Sequence, residues 1–119
     1  MKTPELYELE YLFECDAKLS DDGIPWKYTT VSFQIVRNNI KAVFEFEEAS
    51  GSGQLRIYFK TEEISKYYLE NISTIHIKRE VNFECLILDF DEENLVLPLA
   101  LQTKPSIKTS WGTSLDLNR

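Results

Sequence analysis

The chain has 119 residues, of which 43% are hydrophobic, so it is long enough for one domain with a real core and too short for two ordinary ones. Its 20 acidic residues outnumber its 13 basic residues and give a net charge of −7. A surface of that sign repels phosphate groups, which disfavours direct binding to nucleic acids or to anionic membranes.

Residues 7–15 alternate between apolar and mostly acidic side chains. A strand sorts such an alternation onto two faces, whereas a helix scatters it around its circumference. We therefore predict a first β-strand here. Its apolar face would hold Tyr7, Leu9, Tyr11, Phe13 and Cys15.

The next two strands are predicted to form a hairpin. Residues 30–35 and 40–47 both alternate between apolar and polar side chains. Asn38 and Asn39 lie between them, and asparagine tolerates the positive φ angles that a two-residue hairpin turn requires. The first three strands would then follow one another as a meander.

A fourth strand is predicted at residues 55–60, followed by a short helix near 62–70. Thr61 is a suitable N-cap for this helix, and Glu62 and Glu63 would lie in its first turn, where the helix dipole favours negative charge. A helix of this length needs tertiary packing to persist.

Ile75 and Ile77 indicate a fifth strand, and two further strands flank residues 91–94 as a hairpin. Both faces of the hairpin 83–101 are apolar, so both must be covered. The cover could be the short helix, the C-terminal segment with Trp111, or a second subunit. In the last case the oligomer interface would contain Leu86, Leu88, Phe90, Val96 and Pro98.

The expected fold is β-rich α+β: an antiparallel meander of about seven strands, as a half-barrel, barrel or sandwich, with one short helix. Residues 1–119 would form a single domain. Residues 103–119 would form a C-terminal segment that is either docked on the core or partly disordered.

Motifs for chemistry are missing from the sequence. There is one histidine, His76, and the two cysteines, Cys15 and Cys85, are far apart, so neither a zinc site nor a disulfide framework is indicated. No phosphate-binding glycine loop or nucleophile elbow occurs. We expect no catalytic residues, no metal and no cofactor. Without a signal peptide or an apolar span, a cytoplasmic location is expected.

Acidic side chains converge in the predicted meander. The end of its first strand, the loop 16–27 and the end of its third strand would meet at one rim of the sheet. Trp26 and Tyr28 lie in or beside that loop, and Trp26 would either anchor a partner or cap the core. The carboxylates of this predicted acidic rim are Glu14, Asp16, Asp21, Asp22, Glu45, Glu47 and Glu48.

The leading hypothesis is a non-catalytic module whose acidic rim binds a basic protein. In size, charge and compactness the chain resembles small acidic bacterial inhibitors, such as immunity proteins that neutralise a co-produced nuclease toxin. That resemblance implies a toxin domain as partner and carries over no functional residues. Two alternatives are a subunit that assembles as a homo- or hetero-oligomer through the hairpin 83–101 and a β-barrel that binds a small apolar ligand.

Overall fold

A computed structural model describes residues 1–91 and 96–112 of the chain. The described part contains one α-helix, one short 3₁₀ helix at Trp26–Tyr28 and nine strands. In chain order the elements are α1 Leu6–Phe13, β1 Lys18–Leu19, β2 Val31–Arg37, β3 Ile40–Glu47, β4 Ser52–Phe59, β5 Glu62–Leu69, β6 Ile72–Glu80, β7 Phe83–Phe90, β8 Leu99–Lys104 and β9 Lys108–Ser110.

The strands form two antiparallel sheets. One has the order β1-β2-β3-β4-β5 and the other β6-β7-β8-β9, so each is a meander in which neighbours in sequence are neighbours in space. The predicted fold class, β-rich with antiparallel meanders and one short helix, is confirmed. The inward faces of both sheets and of α1 contribute to one continuous hydrophobic core.

The hairpin of β2 and β3 forms as predicted. Asn38 and Asn39 have φ angles of 51° and 71°, the two positive values that a tight two-residue turn needs. The predicted inward residues Phe33, Phe44 and Phe46 are at most 2% exposed. A period of two was therefore sufficient to place this hairpin.

The prediction of a strand at residues 7–15 is wrong, because this segment forms α1. Leu9, Leu12 and Phe13 are at most 1% exposed, and their spacing of three and four residues places them on one helical face. Tyr7 and Tyr11, assigned to the inward face of the strand, are 68% exposed. Leu12 is the residue that distinguishes the two structures. Its burial is inconsistent with the period of two and completes the apolar face of the helix.

The helix predicted near 62–70 is also wrong, because these residues form β5. Lys60, with a φ angle of 56°, makes a tight turn that returns the chain along β4. β5 then pairs with β4 over its whole length, with an irregularity between Ile57 and Tyr58. Pairing with β4 outweighs the helix signal at Thr61, which is weak because a helix of this length is not stable by itself.

The predicted pairing around residues 91–94 is confirmed in part. β7 and β8 are antiparallel and Leu88 lies opposite Leu99, where β8 begins. Residues 92–95 lie outside the described residues. Leu86 and Leu88 are fully buried within this chain, so the proposed oligomer interface cannot use these two side chains while the fold is intact.

The C-terminal segment is docked as far as it is described. β9 pairs with β8, and Trp111 stacks on Phe90 with 5.5 Å between ring centroids. Trp111 therefore supplies part of the cover that the apolar hairpin requires. Residues 113–119 lie outside the described residues. In the described part of the chain, no helix has the length and apolar character needed to cross a membrane.

Candidate functional site

Acidic side chains collect at one end of the five-stranded sheet. Val31, at the start of β2, lies opposite Phe46, near the end of β3, so the loop 20–30 and the turn 48–51 share that end. A recess of about 240 Å³ there is lined partly by Glu45 and Glu47. We call the following residues the acidic end: Asp21, Asp22, Glu45, Glu47 and Glu48.

The loop that carries Asp21 and Asp22 is held by hydrogen bonds. The Asp21 carboxylate accepts from the Gly23 amide at 2.9 Å, and the Asp21 amide donates to the Thr29 hydroxyl at 3.1 Å. The hydroxyls of Ser20 and Thr29 are 2.6 Å apart, and Thr29 is only 4% exposed. Both aspartates are thus displayed in solvent from an anchored loop.

The two aromatic side chains of the candidate site have different surroundings. Trp26 is half-buried and meets Phe46 edge to face at 6.5 Å, so it covers this end of the core. Tyr28 is 66% exposed and projects beside the acidic loop. Tyr28 is therefore the more accessible of the two rings, and Trp26 packs on the core, which is one of the two roles considered for it in the sequence analysis.

Two of the seven predicted rim carboxylates lie elsewhere. Glu14 follows α1 and contacts Arg37 at 3.0 Å and Lys104 at 3.8 Å, near the end of β2 that is remote from the acidic end. Asp16 lies beside Lys18, in a recess on the outward face of the sheet. The acidic rim was predicted on the assumption that residues 7–15 form a strand. Because residues 6–13 form α1 instead, the predicted position of Glu14 at the rim is wrong.

An ion network that sequence reasoning missed joins the helix to both sheets. Glu84 on β7 is 7% exposed; it binds the Arg79 guanidinium at 2.7 Å and the Lys104 ammonium at 3.1 Å. Lys104 continues to Glu14, and Glu14 to Arg37. Glu84 and Arg79 face each other across β6 and β7, so a correct strand register would have revealed this pair.

The pKa of Glu84 is lowered. Burial opposes its ionisation, but hydrogen bonds from Arg79 and Lys104, with their charges, outweigh the burial. A carboxylate with a depressed folded-state pKa stabilises the fold above its unfolded-state pKa, and this contribution is lost as the pH falls through the folded-state value. The network is thus a source of acid sensitivity.

We expect Glu84→Gln to lower the free energy of unfolding by about 1.5–3 kcal/mol at pH 7, because both charge-assisted bonds are lost. The difference from the wild type should shrink below the ordinary glutamate pKa of 4.5, as the wild-type carboxyl becomes protonated. Urea denaturation between pH 7 and pH 3 measures this. Glu80→Gln is the control, since Glu80 is 63% exposed and 3.8 Å from Lys78. A gap that stays constant at all pH values would contradict the assignment.

The single histidine has a defined partner. His76 Nε2 lies 3.0 Å from Asp89 Oδ2, and that oxygen also accepts a hydrogen bond from the Thr74 hydroxyl at 2.7 Å. The His76 and Asp89 side chains are 53% and 39% exposed, so the pair lies on the surface of β6 and β7. Among the residues that the structure describes, no cluster of three or more potential metal ligands occurs.

Comparison with known proteins gives a likeness in fold but none in sequence family. No family model matches the sequence, and no curated protein matches it. A solved chain does match the fold, with a TM-score of 0.81 and 15% sequence identity, over 93% of this chain and 95% of the other. That chain belongs to a contact-dependent growth inhibition toxin–immunity protein complex from Klebsiella pneumoniae 342. At this identity the likeness shows a shared fold.

Proposed function

We propose that this protein is a non-catalytic, immunity-type protein that binds and neutralises a toxin domain in the bacterial cytoplasm. The observation that carries the proposal is the likeness to a chain of a toxin–immunity complex over nearly the full length of both chains. The acidic character of the chain, with its net charge of −7, supports a partner of the opposite sign.

The acidic end is the proposed docking surface for a basic face of the toxin. Its five carboxylates form no ion pair with any described residue, so their charge is available to a partner. One carboxylate oxygen of Glu48 is buried without a hydrogen-bond partner among the described residues. Such an atom gains most from a donor supplied by another molecule. Tyr28 would add buried aromatic area beside it.

The test of function is protection. A candidate toxin domain, such as one encoded by a neighbouring gene of the native host, is expressed in a bacterial host with and without this protein, and growth is followed. Restored growth together with a purified one-to-one complex is the expected result. Growth inhibition by this chain alone would contradict the proposal, since the chain would then be acting as the toxin.

The acidic end is tested by association kinetics. We expect the double variant Asp21→Asn, Asp22→Asn to slow association with the toxin several-fold at low salt and to flatten the salt dependence, because long-range attraction is lost. Asparagine keeps the oxygen that accepts from the Gly23 amide, so the loop should stay folded.

The matched control removes the same charge elsewhere. Glu62→Gln, Glu63→Gln changes two exposed carboxylates at the start of β5, which lies at the opposite end of the sheet. We expect it to affect association much less. If both double variants slow association equally, the effect is due to net charge, and the acidic end is not a specific binding surface.

A further inference from the structure

The outward face of the five-stranded sheet carries a group of basic side chains. Lys41 lies opposite Tyr58, and Arg56 lies opposite Lys66. The register therefore places these three cations and the tyrosine on one face of the sheet. The intervening residues of β3 and β4, such as Phe44 and Leu55, point into the core. The cationic face is defined as Lys18, Lys41, Arg56 and Lys66.

These four cations have no carboxylate partner among the described residues. Arg56 and Lys66 are direct cross-strand neighbours, and like charges in that position destabilise a sheet. An acidic chain has many carboxylates with which to compensate this repulsion, yet these basic side chains are left facing one another. Their placement is explained if another molecule supplies the negative charge.

A recess on this face is suited to an anionic group. It has a volume of about 350 Å³, and its charged lining is Lys18, Lys41 and Arg56 with one carboxylate, Asp16, for a net charge of +2. The neutral polar lining comes from Ser32, Gln34 and Tyr58. The recess therefore offers several donors around a positive centre.

Arg56 is the best-positioned donor. One of its terminal nitrogens donates to the Tyr58 hydroxyl at 3.1 Å, and Lys41 lies 4.6 Å from the centroid of the same ring. The guanidinium is thereby oriented before any partner arrives. Its Nε atom is buried and has no hydrogen-bond partner among the described residues. A guanidinium binds a carboxylate through two parallel N–H donors, and Nε–H is commonly one of them.

We propose that the cationic face is a second docking surface, which binds a carboxylate-bearing segment of the protein partner. This inference rests on the proposed function and deepens it: the partner would have an acidic segment beside its basic face. Glu45 lies on the same face as the cations, directly opposite Ser32. A protein partner can present negative charge to the cations and positive charge to Glu45. A polynucleotide is negatively charged along its whole length and would be repelled by the acidic end.

The surface is probed first without the toxin. ¹⁵N-labelled protein is titrated with a hexaglutamate peptide and, separately, with a decauridylate RNA. Peptide-induced shifts confined to the five-stranded sheet around the cationic face support the proposal, and they should vanish in Arg56→Gln. Preferential binding of the RNA would overturn it in favour of a nucleic-acid site. Peptide shifts spread over lysines on all faces, or retained in the variant, would also overturn it.

The second measurement uses the toxin complex. We expect Arg56→Gln to weaken toxin binding about tenfold, as the loss of one charge-paired donor should. Lys108→Gln, an exposed lysine on β9 in the other sheet, is the control and should change it little. Failure of the wild type to bind toxin would refute the proposed function. Wild-type binding that is unaffected by Arg56→Gln would refute this inference alone, provided that the variant melts at the wild-type temperature.

Discussion

Replacing Phe44 with alanine is expected to lower the free energy of unfolding by about 3–5 kcal/mol. Phe44 is 1% exposed and lies at the centre of a column of rings. Its centroid is 5.4 Å from that of Phe46 and 6.2 Å from that of Phe13, which itself stacks on Phe33 at 5.1 Å. Truncation would open a cavity between α1 and the sheet, where Phe33 and Phe46 are held by strand pairing and resist collapse into it.

Urea denaturation followed by circular dichroism measures this loss. Phe59→Ala on the neighbouring strand β4 is the matched control, since the same ring is removed from a side chain that is 44% exposed. We expect the control to cost about 1 kcal/mol or less, as is usual for surface positions. If the two variants unfold at the same urea concentration, the ring column does not have the central role assigned to it.

Leu86→Glu is expected to abolish the folded state at neutral pH. Leu86 has no exposed surface and lies on β7 between Ile77 on β6 and Leu101 on β8. A carboxylate at this position would be desolvated with no cation beside it among these strand partners, and the cost, roughly 4 kcal/mol or more, is comparable with the stability of a small domain.

The control for Leu86→Glu is Leu97→Glu, at a position that is 46% exposed. This variant should remain folded with a nearly unchanged spectrum. A folded, monomeric Leu86→Glu variant would contradict the structure, because it would show that this side chain lies on a surface. The pair of variants thereby also tests the hairpin as an oligomer interface, which would need Leu86 to be accessible.

The sequence predicted the hairpin of β2 and β3 because each residue there has one role. Phe33 and Phe44 face the core, the polar neighbours Ser32, Gln34 and Glu45 lie on the opposite face, and Asn38 and Asn39 turn the chain. Residues 7–15 were misassigned because the exposed Tyr7 and Tyr11 mimic an apolar strand face. Amphipathic side chains such as tyrosine are compatible with either environment, so they weaken a period-based prediction.

The candidate site was predicted to the extent that it depends on local order along β2 and β3. Glu45 and Glu47 lie at the expected end of the sheet because the hairpin was right. The loop of Asp21 reaches the same end through the pairing of β1 with β2. Glu14 was misplaced because its position depends on how α1 docks. The Glu84 network and the cationic face were missed because both depend on strand register, as between Arg56 and Lys66. Register is a property of two paired strands and is not encoded in either segment alone.

A residue from the N-terminal end of the chain forms a β-bridge with the edge of the second sheet. Lys2 donates its amide to the Ser73 carbonyl at 3.0 Å and accepts from the Ile75 amide at 2.8 Å, so it runs parallel to the edge of β6. On the ribosome, Lys2 emerges long before that edge exists. Because such non-local contacts are formed late, α1 must wait for translation of β6 before it is fixed at both ends. The neutralising activity proposed above would then develop only once most of the polypeptide has been synthesised.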